Sequence, residues 1–190
     1  MKREARKAQT RQKILEAASE LMLTNGFKAT SVRDVSKKSK ISYVTMYKYF
    51  TDKQELEDQV IEKIITDIFQ KLISYVTNKT NGSFRHRLTM ISEDRTLLDQ
   101  KYIHSLTEIE EIIEHNPKMQ ITFNNAIKHL CSIIIQQGKS EGAIKTTVSD
   151  AAVTFLLSAI LKNRMTLTME QFEAIAPEVA EIVFYGLVGK

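Results

Sequence analysis

The sequence predicts an all-α fold of about nine helices. Apolar residues recur three and four apart over long stretches, and no alternating strand pattern interrupts them. The 190 residues include only two prolines and six glycines, which favours long helices over many turns. Helix-start signals punctuate the chain at Asp52-Lys53-Gln54-Glu55, Asn116-Pro117 and Thr168 with Gln171.

Met1 to Thr10 is basic and polar and reads as a frayed arm. Helix one is expected over about 8–24, with Ile14, Ala18, Leu21 and Met22 as its inner stripe and Gly26 as a left-handed cap. Phe27 then plugs the small core beneath the next two helices.

The stretch from Ser31 to Phe50 reads as two short helices joined by a tight turn. Thr30 or Ser31 can cap the first, and Val32 and Val35 lie three apart on one face. Ser42 can cap the second, where either Val44 and Tyr47 or Met46 and Phe50 face inward. Such a pair is a helix-turn-helix, whose second helix fits the DNA major groove. The outward candidates Ser42, Tyr43, Thr45 and Lys48 carry hydroxyls and an ammonium but no carboxylate, which suits base edges and phosphates. Tyr43 and Thr45 are the candidates for base reading.

Asp52 with Glu55 forms a capping box that opens a long helix to about Val76. Leu56, Val60, Ile64, Ile68 and Leu72 form its ridge, reinforced by Ile61, Ile65 and Phe69. After a break at 78–83, further helices are marked by Phe84, Leu88 and Ile91, and by Tyr102, Leu106, Ile109 and Ile113. Asn116-Pro117 starts another, carrying Phe123, Ile127, Leu130 and Ile134 and ending near Gly138 or Gly142. Ser149 or Asp150 opens the eighth. Pro177 kinks the last or starts a new segment, which runs to Gly186.

Charge is unevenly spread. Residues 1–50 hold 12 Lys+Arg against 4 Asp+Glu, a net of +8, while the whole chain is +4, which leaves −4 for the rest. A basic N-terminal third on a mildly acidic body fits a nucleic-acid module with a second function behind it. One cysteine, Cys131, excludes an intrachain disulfide. No apolar segment follows the charged N-terminus, and the run from Ala151 to Leu161 is too short for a bilayer, so a cytoplasmic protein without a membrane partner is expected. His86, His104, His115 and His129 are scattered. Glu111 and His115 could share a face, but no HExxH, Cys pair or glycine-rich phosphate loop accompanies them. No metal, cofactor or catalytic site is expected.

From Arg11 to Leu56 the chain resembles the DNA-binding domain of the TetR family of bacterial regulators. The resemblance is carried by Ile14, Leu15, Ala17, Ala18, Leu21, Asn25-Gly26-Phe27, Thr30-Ser31-Val32, Asp34-Val35, Ile41-Ser42, Tyr47, Tyr49-Phe50, Lys53 and Leu56. It departs at Lys40 and Val44, where the family usually has glycine. A left-handed Lys40 would cost about 1 kcal/mol relative to glycine, which leaves room for a differently shaped turn. The resemblance implies a DNA-binding domain over 1–55, with the helix-turn-helix at about 31–50. It implies a helical effector-binding and dimerisation domain over 56–190 and a fourth helix, about 52–76, shared between them.

DNA contacts are expected from Thr30, Ser31, Arg33, Ser42, Tyr43, Thr45, Tyr47, Lys48 and Lys53, with Lys53 on a phosphate. A small-molecule effector is expected among Phe69, Met90, Leu98, Tyr102, Phe123, Ile127 and Cys131. A homodimer interface is expected from Val153, Leu156, Leu157, Ile160, Ile182 and Val183. The implied function is a repressor on a near-palindromic double-stranded operator, released by its effector. The alternatives are a body that binds a partner protein and a ligand-independent DNA binder.

Overall fold

A computed structural model describes residues 2–93, 102, 105–144, 147, 149–164, 167 and 169–188. Within them lie nine α-helices and no strand: α1 Lys2–Asn25, α2 Val32–Ser39, α3 Tyr43–Met46, α4 Lys53–Thr77, α5 Phe84–Glu93, α6 Leu106–His115, α7 Pro117–Ser140, α8 Asp150–Arg164 and α9 Met169–Val188. The chain divides into two compact units. The first is Met1–Ile64 with Asp99–Gln120, and the second is Ile65–Leu98 with Ile121–Lys190.

The basic arm is helical rather than frayed, since α1 begins at Lys2. Arg, Lys, Glu, Ala and Gln are all good helix formers, and no glycine precedes Gly26. Ile14, Leu15, Ala18, Met22 and Phe27 are buried in the first unit with Val35, Met46, Phe50, Leu56, Val60, Ile61 and Ile64. Gly26 takes φ +93 and ends α1, its amide reaching Met22 O at 2.9 Å. Arg11 ties α1 to α4, donating to Gln59 Oε1 at 2.6 Å while its guanidinium lies over the Phe50 ring.

The start of α4 departs from the expected capping box. Asp52 Oδ1 accepts from Glu55 N at 2.7 Å, but Glu55 Oε2 accepts from the amide and hydroxyl of Thr51, not from Asp52. Those two bonds hold the Glu55 carboxyl below its usual range. Asn116 does double duty between α6 and α7. Its Oδ1 accepts from Lys118 N and Met119 N, and its Nδ2 donates to Asp58 on α4 at 2.9 Å.

In the second unit Val76, Phe84, Leu130, Ile134, Ile135, Ile144 and Val153 form one core. Gly138 allows it to close, because a Cβ there would come within 2.5 Å of Ile144 Cδ1 and 2.9 Å of Phe84 Cζ. α9 runs through Pro177 as a single helix; a proline removes one hydrogen bond, and the flanking turns keep theirs. Thr168, expected to open a capping box for α9, lies outside the described residues. No described helix is long and apolar enough to cross a membrane.

Candidate nucleic-acid interface

The interface is built on α2, the turn after it and α3. Ser31 caps α2 in a full capping box: Asp34 N donates to Ser31 Oγ, and Ser31 N donates to Asp34 Oδ2 at 3.0 Å. The Ser31 hydroxyl, and then its amide, hold the Asp34 carboxyl below its ordinary range. α2 ends at Lys40, which sits at φ 57, ψ 27. The turn therefore has the left-handed shape that glycine would give, with a lysine bearing the strain; it is the one positive-φ non-glycine residue described. Ser36 Oγ and Ser39 Oγ brace the turn, the first donating to Ile41 O at 2.8 Å and the second accepting from Ile41 N at 3.3 Å.

α3 is short, and which residues face inward is now decided. Met46 and Phe50 are buried, whereas Tyr43, Val44 and Tyr47 are exposed. The hydroxyls of the outer face bond to one another. Ser42 Oγ and Thr45 Oγ1 lie 2.7 Å apart, and Ser42 Oγ also accepts from Thr45 N. Tyr43 and Tyr47 pack edge to face at 4.9 Å with their hydroxyls 3.0 Å apart. That hydrogen bond with Tyr43 is the main cause of the raised pKa of Tyr47.

An open groove of about 330 Å³ runs beside this face, lined by Lys28, Ala29, Thr30, Ser31, Val32, Arg33, Tyr43 and Lys53. Three cations line it, of which Lys28 pairs with Glu111 at 3.5 Å. Not all the sequence candidates point into it freely. Thr30 is buried and spends its hydroxyl on Gly26 O at 2.8 Å. Lys53 is engaged within the chain: its ammonium donates to Phe27 O at 2.9 Å and Lys28 O at 3.4 Å, and pairs with Glu57 at 3.1 Å. An ammonium has three donors, so a phosphate at Lys53 competes with these acceptors.

The backbone of the same two residues is also held by Glu108 on α6. Its carboxylate accepts from Phe27 N at 3.0 Å and Lys28 N at 2.9 Å. Gly26 permits this approach, since a Cβ there would sit 3.2 Å from Glu108 Oε2. Ser105 adds a buried bond to Leu23 O at 3.1 Å. The turn that aims α2 is thus clamped between an ammonium on α4 and a carboxylate on α6. Glu108 is not singled out by the sequence, because it stands in a run with Glu110, Glu111 and Glu114 that looks uniformly solvated. Glu108→Ala should cost about 1–2 kcal/mol, the worth of two charge-assisted bonds at a partly exposed site. A urea midpoint unchanged from wild type would show that the clamp carries no stability.

The other candidates are spread through the chain. Phe69 and Phe123 pack edge to face at 5.7 Å in the second unit. Ile127 and Cys131 are buried and Met90 is half-buried. Cys131 Sγ lies 3.8 Å from Ser158 Oγ, and burial raises its pKa. Tyr102 belongs to the first unit. Leu98 lies outside the described residues, as does His104. Of the interface candidates, Val153 is buried in its own chain, and Leu157 and Val183 pack on the same core. Ile160 is half-buried, while Leu156 and Ile182 are exposed. Phe155, Ile175 and Tyr185 are exposed as well, and none of these three is among the sequence candidates. Among the described residues no three His, Cys, Asp or Glu side chains gather to hold a metal.

Comparison with known proteins agrees with this layout. Residues 14–60 match the family model described as bacterial regulatory proteins, tetR family. No curated protein sequence matches the chain. A solved structure from Mesorhizobium loti, assigned to the TetR family of transcriptional regulators, superimposes with a TM-score of 0.70 at 19% identity, covering 94% of this chain and 96% of that one. Salmonella enterica GusR gives 0.67 at 22% identity, over 95% and 96%. A TetR transcription regulator from Haloarcula marismortui gives 0.69 at 13% identity, over 95% and 99%. The chain has the fold of TetR-family transcriptional regulators, with the family's helix-turn-helix domain at residues 14–60.

Proposed function

We propose that this TetR-type chain is a homodimeric repressor that binds a near-palindromic operator through α3 and leaves it when a small molecule binds the second unit. The observation that carries the DNA-binding part is the outward face of α2 and α3. It is cationic and hydroxyl-rich, while Val35, Met46 and Phe50 anchor it from behind. Two copies of such a face, about 34–36 Å apart, meet successive major grooves.

Roles divide by chemistry. Arg33 and Lys48 are the phosphate contacts, Tyr43 and Thr45 read bases, and Lys53 is a positioning residue that acts through the 27–28 turn. Arg33→Ala and Lys48→Ala should each lower the slope of log affinity against log salt by about one unit. Lys53→Ala should weaken binding with a smaller change in slope. The test is fluorescence anisotropy on a duplex selected from a random pool, across a salt series. Slopes unchanged in both Arg33→Ala and Lys48→Ala would remove those residues from the interface.

Release needs an element that both sites can bias. α4 is one unbroken helix from Lys53 to Thr77, with residues in both compact units. Phe69, Phe123, Ile127 and Cys131 are the candidate effector walls. Coupling is reciprocal: an effector that weakens operator binding tenfold itself binds tenfold more weakly to the complex, about 1.4 kcal/mol. Equal effector affinities with and without operator, measured by calorimetric titration, would leave a ligand-independent binder as the better reading.

A further inference from the structure

We propose that Val44 is a specificity-determining residue that reads the C5-methyl group of a thymine in each half-site. The inference rests on the DNA-binding reading of α3 and deepens it. Val44 is 72% exposed while Met46, two residues on, is 2% exposed. At about 100° per residue, two steps place Val44 almost opposite the buried side of the helix. It stands on the outermost line of α3, and Lys48, exposed in the turn that follows, lies just beyond it.

Local structure does not explain a valine there. A β-branched side chain is a poor choice for a solvated helical position, because it loses rotamer freedom and gains no packing. Nor is Val44 a polar reader: it has no donor or acceptor for a phosphate or a base edge. Its neighbours supply the polar groups: Ser42 Oγ and Thr45 Oγ1 lie 2.7 Å apart and the Tyr43 and Tyr47 hydroxyls 3.0 Å apart, each pair keeping lone pairs for a base edge. Val44 is the apolar tip among them. The major groove displays acceptors, donors and one apolar feature, the thymine methyl. That methyl is the group an exposed valine can recognise, since cytosine at the same place presents an amino donor and no methyl.

The experiment starts from duplexes selected out of a random pool by the full-length protein. Each thymine of the selected site is replaced in turn by deoxyuridine, which removes only the C5-methyl. Affinities are measured at fixed salt for wild type and for Val44→Ser, whose fold is checked by circular dichroism. One thymine per half-site should lose about fourfold in affinity for wild type when its methyl is removed, the scale of leaving one methyl group in water. Val44→Ser should show no loss at that position and should relax the preference for thymine over cytosine there. The inference is overturned if no deoxyuridine substitution weakens wild-type binding, or if Val44→Ser loses as much as wild type at the same base. Failure to select any sequence at all would overturn the DNA-binding reading itself, a distinct result.

Discussion

Arg87→Ala should lower the melting temperature by on the order of 10 °C, from a loss of about 3–5 kcal/mol when a buried ion pair keeps only one partner. Arg87 is 1% exposed, on the first turns of α5. Its Nη1 donates to Gly82 O at 2.6 Å and its Nη2 to Glu141 Oε1 at 2.5 Å, just past the end of α7. The guanidinium also lies 5.7 Å from the Phe84 ring centroid. One side chain thus stitches the entry of α5 to the exit of α7. Two costs come with it: the charge is removed from water, and Nε has no acceptor among the described residues. Removing Arg87 leaves the Glu141 carboxylate, 19% exposed, without this partner. Removing both charges relieves it, so Arg87→Met with Glu141→Leu should recover most of the loss. Thermal melts of the two variants decide the matter. A single mutant within two degrees of wild type would mean that the pair contributes nothing net.

Arg87 also marks where the sequence stops being legible. Phe84-Arg85-His86-Arg87-Leu88 reads as a helix with Phe84 and Leu88 inward and its charges outward. Periodicity assigns faces by hydrophobicity, and a buried arginine is invisible to it until Glu141 is brought near. Glu108 hides for the same reason among its neighbouring glutamates.

Local chemistry, by contrast, was readable. Gly26 ends α1 because a left-handed turn is needed there, and Asn116-Pro117 starts α7 because Pro lacks the amide that a first turn leaves free. The helix-turn-helix was readable as a unit, but the facing of α3 was not. Four residues make little more than one turn, so Val44 with Tyr47 and Met46 with Phe50 satisfy the spacing equally. Tertiary burial of Met46 and Phe50 settles it, and that turns Val44 from a candidate core residue into an outward one.

Phe155→Glu and Ile182→Glu should each yield folded monomers with operator affinity reduced by about 100-fold or more. Phe155 is 78% exposed on α8 and Ile182 is 70% exposed on α9. Leu156, Ile175 and Tyr185 add further exposed apolar surface on the same two helices. Single exposed apolar residues are ordinary, but five on two C-terminal helices exceed what a monomer gains from showing to water. A second copy of the chain is the occupant that the proposed operator geometry requires, because only a dimer presents two α3 helices at one spacing. A glutamate at either position puts a charge into an apolar interface without disturbing the core of its own chain. Val153→Glu is the control with the opposite signature. Val153 lies in the core of the second unit, so its substitution should unfold that unit rather than split a dimer. The loss of DNA affinity follows from valency: once one half-site is bound, the second binds at an effective concentration set by the linkage, worth about 10²–10⁴ in avidity. Light scattering gives the mass, circular dichroism gives the fold, and anisotropy on the selected duplex gives the affinity. If both variants remain dimers of full affinity, these exposed side chains lie outside the dimer interface, and that interface must be sought on another face of the molecule.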